Sequence, residues 1–290
     1  MTLTTGTVPL LVLLTFAAPA IGPKLIIEAQ PGLEAAAARV RAFGTSTLAN
    51  LVETLGLTEP GPPIRVVLAD ERSFVAQSTP PWIAGFASSA QGIVVLFPAR
   101  TPSYPDDSLE SVLDHEVAHV LIARAADGRP LPRWFNEGLA MAVEHTWGLE
   151  DTTRFAIETL WAEPESFDHL DELFEEGESA SRRAYALSGA FVRDLLQQQP
   201  GAGARILSLV ARGQPFGEAF RLAAGLPLPQ AEEAFLSRQS SWKRWVLFLS
   251  SSLSLWMIVT LLALYAIRKR RQKSAALRRR WEKEDGPGSE

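Results

Sequence analysis

The chain has 290 residues, 47% hydrophobic and 21% charged, with 20 Gly and 20 Pro, so it can bury a proper core and is neither disordered nor collagen-like. It has no cysteine, which excludes disulfides, a thiolate nucleophile and an iron–sulfur cluster, and leaves any metal to His, Asp or Glu. The net charge of -5 hides a change of sign: residues 21–242 carry 17 Lys+Arg against 29 Asp+Glu, whereas residues 268–290 carry 9 against 4. An acidic body lacks the basic face that phosphate binding needs, so nucleic acid is excluded as the main partner.

Val8 to Ala18 is apolar but short, and Ala18-Pro19-Ala20 has the small residues of a signal-peptide cleavage site, so residues 1–20 are expected to be a secretory signal. Lys24 to Ala29 predicts a strand and Gly32 to Gly56 a helix. The turn residues Pro60, Gly61, Pro62 and Pro63 precede a β-branched strand over Ile64 to Ala69. A loop containing Trp82 and Gly85 leads to a second strand over Gly92 to Pro98, where Pro98 fits an edge or a strand end. Asp107, with Glu110 three residues on, predicts an acidic capping box for a helix ending at Asp127-Gly128, and Pro132 opens another helix running to about His145. Further helices are expected over Thr152 to Trp161, Phe167 to Glu176, Arg183 to Gln198, Ala204 to Arg212, Phe216 to Ala224 and Pro229 to Ser237. Strands early and helices late predict an α+β class.

Trp245 to Ile267 is uncharged over 23 residues, long enough as a helix to cross a bilayer, with Trp242 and Trp245 at one edge, Tyr265 at the other and Arg268 to Arg271 directly after it. The expected organisation is therefore a signal peptide (1–20), an extracytoplasmic domain (21–242), a transmembrane helix (245–267) and a basic cytoplasmic tail (268–290), giving a single-pass membrane protein whose second partner is the lipid bilayer.

The chemistry lies in Asp114-His115-Glu116-Val117-Ala118-His119, an HExxH inside the capped helix. Positions four apart differ by about 40° around a helix axis, so His115 and His119 can present ring nitrogens to one zinc ion (Zn²⁺). Glu116 is adjacent, placed to take a proton from a water at the ion. A catalytic zinc site needs a third protein ligand and an open position. Glu137 follows in Trp134-Phe135-Asn136-Glu137-Gly138, on a helix folded back by the Gly128 to Pro132 turn, and Gly138 would let the two helices approach closely. Glu144 and His145, one to two turns further on, are the alternative third ligands. Tyr185 is either an oxyanion donor or a core aromatic. His169 reads as a surface residue in an acidic amphipathic helix. Asn136 is a helix-start residue or a substrate contact, and the Trp82 to Phe86 loop rims the cleft or packs on it.

His115-Glu116-Val117-Ala118-His119, the P-x-W-F-x-E-G-L-A pattern from Pro132 to Ala140 and the later stretch from Ala184 to Val192 resemble the gluzincin zinc metallopeptidases, and within them the peptidase MA-like group. The resemblance implies a zincin-like domain with a small N-terminal sheet, an active-site helix and a helical C-terminal half. It implies zinc on His115, His119 and Glu137, Glu116 as general base and acid, and a peptide or protein substrate along an edge strand near Ile93 to Phe97. The acidic residue that thermolysin-like enzymes carry shortly after the glutamate ligand is absent, Ala140 and Met141 occupying that region, so nothing in the sequence assigns what orients the histidines. Two other readings are a catalytically silent peptidase-like binding module of the cell envelope and a zinc hydrolase of a nonpeptide amide.

Overall fold

The computed structural model describes residues 21–43, 45–101, 106, 108–144, 167–238, 260–265 and 267–270. The chain divides into two compact units, Met1–Glu232 and Glu233–Glu290, and the site lies in the first. Its sheet comprises β1 (Leu25–Ala29), β2 (Ile64–Leu68), β3 (Gly85–Ser88) and β4 (Ile93–Leu96), in the order β1-β2-β4-β3. β1 pairs with β2 in parallel from Leu25↔Ile64 to Ala29↔Leu68, β2 with β4 in parallel, and β3 with β4 antiparallel. Parallel neighbours need crossover connections. These carry α1 (Glu34–Ala42) and α2 (Thr45–Thr54) between β1 and β2, and α3 (Phe74–Gln77) on the way from β2 to β4.

The α+β expectation is corrected by this topology: the described architecture is mixed α/β, with helices between the strands as well as after them. Hydrophobic periodicity reports that a segment is a strand but carries no record of its neighbour. The same limit overturns the placement of the substrate edge. β4 is interior, flanked by β2 and β3, and the edges of the described sheet are β1 and β3, the latter a Gly-Phe-Ala-Ser segment that the sequence reading assigned to a loop. The single helix expected over Gly32 to Gly56 is two, broken at Phe43, whose backbone is extended.

The transmembrane helix expected over 245–267 is also corrected, and the single-pass membrane localisation with it: among the described residues no helix is long and apolar enough to cross a membrane. A span requires about 20 continuous apolar helical residues, and the described helical residues within that interval are 260–265 and 267. Residues 245–259 and 266, the signal at 1–20, most of the basic tail and the helix expected over Thr152 to Trp161 lie outside the described residues.

α4 (Leu109–Ala125) lies at the centre of the unit, packed on β3 and β4, on α1 and α2, and on α5 (Arg133–Glu144). Its cap is one residue later than expected: the Ser108 hydroxyl accepts from the Ser111 N–H while the Ser111 hydroxyl accepts from the Ser108 N–H. Glu110 instead pairs with Arg39 of α1 at 2.6 Å. Leu109, Val112, Leu113, Val117, Val120 and Leu121 are buried, and so are Asp114, His115, Glu116 and His119. Four polar groups inside a core helix carry a large desolvation cost unless they are paired, which marks this stretch as built for something other than packing.

α5 is fixed at both ends of its exposed-to-buried turn. The Asp171 carboxylate accepts hydrogen bonds from the Arg133 and Trp134 N–H groups at 3.1 and 2.8 Å, satisfying the start of the helix. The Trp134 ring meets Phe167, Phe191 and Phe216 edge-on at 5.2, 5.5 and 5.8 Å. α6 (Leu170–Leu173), α7 (Glu178–Gln198), α8 (Ala202–Ala211) and α9 (Phe216–Ala224) complete the helical half. Along α5 and α7, Gly138 lies against the Ser188 carbonyl and Val192, leaving no room for a Cβ.

Candidate metal centre

α4 supplies His115 and His119 and α5 supplies Glu137. The three donor atoms form a nearly equilateral triangle: His115 Nε2 is 3.1 Å from His119 Nε2, and Glu137 Oε2 is 3.3 and 3.2 Å from the two nitrogens. A tetrahedral zinc ion with bonds of about 2.0–2.1 Å holds its donors about 3.3 Å apart. The residues therefore fit the ion, and of the candidate third ligands among the described residues it is Glu137 that converges with both imidazoles.

The other nitrogens explain the tautomers. His115 Nδ1 faces Glu144 Oε2 at 3.2 Å and His119 Nδ1 faces Asn136 Oδ1 at 3.2 Å. Both partners are acceptors, so each Nδ1 carries the proton and each Nε2 presents its lone pair inward. Three acceptor atoms converging on one point repel one another unless a proton or a cation lies between them.

The electrostatics say the same. Burial pulls His115 down, but the charges and hydrogen bonds of Asp106, Glu137 and Glu144 outweigh it and carry its pKa well above the usual imidazole range. His119 is raised in the same way, burial being overcome by Glu137. Glu137 is the counterpart: burial raises it, yet the two imidazoles hold it far below the usual carboxylate range. The cluster is built to hold positive charge.

Glu144 meets the Nδ1 of His115, the nitrogen that points away from the His119 and Glu137 donors. It stands seven residues after Glu137, two turns along one helix face, which is the signal that could have found it. Asp106, which the sequence reading missed, is buried beside it. Its carboxyl group, His115 and Glu144 each place an atom within 4.8 Å of the others. Burial drives the Asp106 pKa well up, His115 opposes this, and the charge of Glu144 and a hydrogen bond to it add to the rise.

A cleft with about 530 Å³ of open space runs past His115 and Glu116. Trp82, Ile83, Ala84 and Gly85 form its rim on the β3 side, and Arg133, Phe174, Ser181 and Tyr185 face them. The Tyr185 ring is 6.5 Å from the His115 ring and meets Phe174 edge-on at 5.0 Å. Its phenol is held protonated by burial and by the charges of Glu137 and Glu116. Burial also raises Glu116, an effect that His119 and His115 oppose and do not cancel. His169 is exposed, 3.5 Å from Glu172, and takes no part in the site; His145 lies outside the described residues. No family model, curated protein or solved structure matches this chain.

Proposed function

We propose that the chain is a zinc-dependent metallopeptidase of gluzincin type. The observation that carries the reading is the 3.1–3.3 Å triangle of His115, His119 and Glu137 donors, with the second nitrogen of each imidazole tied to an acceptor. Bound there, zinc supplies the Lewis acidity that polarises a scissile carbonyl and acidifies water. Glu116, in the cleft wall beside His115, accepts the proton of the attacking water and returns it to the leaving amine, and its raised pKa suits a group that must do both near neutrality. Tyr185 donates a hydrogen bond to the developing oxyanion. β3, the outermost of the described strands on the cleft side, offers backbone groups at the rim to an extended peptide.

The test is to measure zinc bound to the purified full chain and to screen a peptide library against it and against Glu116→Gln. About one zinc per chain and a rate loss of about 10²- to 10⁴-fold on losing the base are expected. Zinc retention with equal cleavage by the two proteins would sink the mechanism. Tight zinc binding with no cleavage of any peptide would leave the binding-module reading.

A further inference from the structure

Arg133 is the first residue of α5, one turn before Glu137, and its side chain turns into the cleft beside Glu116 and Tyr185. Its guanidinium carbon lies 4.6 Å from the centre of the Phe174 ring, and Nε lies 4.0 Å from Glu137 Oε1. Among the described residues nothing accepts a hydrogen bond from this guanidinium, whose side chain is 43% exposed. Arg100 makes the contrast: its guanidinium is bonded to both Glu71 oxygens and to the carbonyls of Ala76, Pro80 and Ile83, which fixes the loop leading to the cleft rim. Arg100 is structural, whereas Arg133 is stacked, aimed into the cleft and has its donors in hand.

Glu137 fixes the distance. Oε2 meets the two imidazoles and Oε1 faces Arg133, so the guanidinium stands within roughly 8 Å of the cation position, given metal–oxygen bonds of about 2 Å. One residue advances an extended chain by about 3.5 Å, and charge-assisted hydrogen bonds to a carboxylate are about 2.8 Å long. Together these lengths span the gap. Among the described residues that line the cleft, Arg133 is the one arginine or lysine, so it is the fixed side-chain cation that the cleft offers to an anionic group.

We propose that Arg133 binds a carboxylate carried by the residue immediately after the scissile bond, supplied either by the end of the substrate chain or by an acidic side chain. The proposal rests on the peptidase reading above and sets its substrate class. Water adds to the carbonyl carbon, the C–N bond breaks, and the proton taken by Glu116 goes to the amine of the residue that Arg133 holds. In the chain-end case a free amino acid is released.

The test uses the zinc-loaded full chain, with Arg133→Gln and Arg133→Lys, on matched peptides: a free acid with a neutral last residue, its C-terminal amide, and amides carrying Asp or Glu after the scissile bond. Cleavage of the free acid about 10- to 100-fold faster than its neutral amide, expressed in KM, identifies the chain end; the same preference for the acidic amides identifies the side chain. In either case Arg133→Gln should erase the preference by slowing the carboxylate-bearing peptide far more than the neutral amide, and Arg133→Lys should restore part of it. Equal cleavage of all peptides by the unmodified protein, or an equal kcat loss on all of them in Arg133→Gln, overturns the proposal. Titration calorimetry of the same peptides on zinc-loaded Glu116→Gln, with and without Arg133→Gln, decides the claim about Arg133 even if nothing is cleaved, an outcome that would remove the peptidase reading separately.

Discussion

Glu144 Oε2 lies 3.2 Å from His115 Nδ1, two turns beyond Glu137 on the same helix, so one face of α5 brings a carboxylate to each nitrogen of the same imidazole. Replacing Glu144 with Gln keeps the shape and removes the charge. Zinc affinity is expected to fall about 10- to 100-fold, with the far-ultraviolet spectrum unchanged. Competition with a chromogenic chelator measures it, and an unaltered dissociation constant would mean that His115 needs no such support.

Zinc binding should strengthen as pH rises and should release protons near neutrality. In the metal-free protein His115 and His119 both titrate above 6.5, so at pH 7 the ion displaces protons from them. The stability that these raised values give the metal-free fold is complete below 6.5 and is lost as pH climbs through them. The gap in Tm between zinc-loaded and metal-free protein should therefore widen from acid to mildly alkaline pH. Calorimetry in two buffers of different ionisation heat counts the protons released, and a count of zero would contradict the raised imidazoles.

Gly138→Ala sets two effects against each other. Alanine gains about 1 kcal/mol of helix propensity, but its Cβ would overlap the Ser188 carbonyl and come 2.8 Å from Val192 Cγ2. The carbonyl belongs to a packed helix and cannot yield cheaply, so overpacking of about 1–3 kcal/mol is expected to win. Thermal unfolding should show a lower Tm, and zinc affinity should drop with it because Glu137 is the preceding residue. A Tm at or above the starting value would show that α5 and α7 can separate freely.

Tyr185→Phe removes one hydroxyl from the cleft wall. Loss of an oxyanion donor is expected to lower kcat about 10²- to 10³-fold while KM changes little. Stability should shift far less than the rate, since the ring still packs against Phe174 at 5.0 Å. Unchanged kcat would reduce Tyr185 to a packing residue.

His115, Glu116 and His119 were legible because their relationship is local: a helix of known pitch sets the angle between positions four apart, whatever surrounds it. Glu137 was legible at one remove, through the turn between the two helices and the glycine that follows it. That Glu144 meets the Nδ1 of His115 was not legible, because which ring nitrogen a carboxylate meets depends on how deeply two helices interlock. The contact of Asn136 with His119 was hidden for the same reason, and Asp106 was hidden because it reaches the site from outside the two helices.

The amino-acid order by itself determined the elements that close over a few residues, namely the capped core helix, the paired imidazoles with their adjacent glutamate, and the exclusion of thiolate chemistry. Only the tertiary structure decided that the sheet is largely parallel, that β3 rather than β4 lies at an edge, that no described helix is long and apolar enough to cross a membrane, and that Arg133 faces the cleft. Periodicity encodes which way a side chain points from its own element, whereas strand partners and the contents of a cleft are settled by residues far apart in the chain competing for the same space.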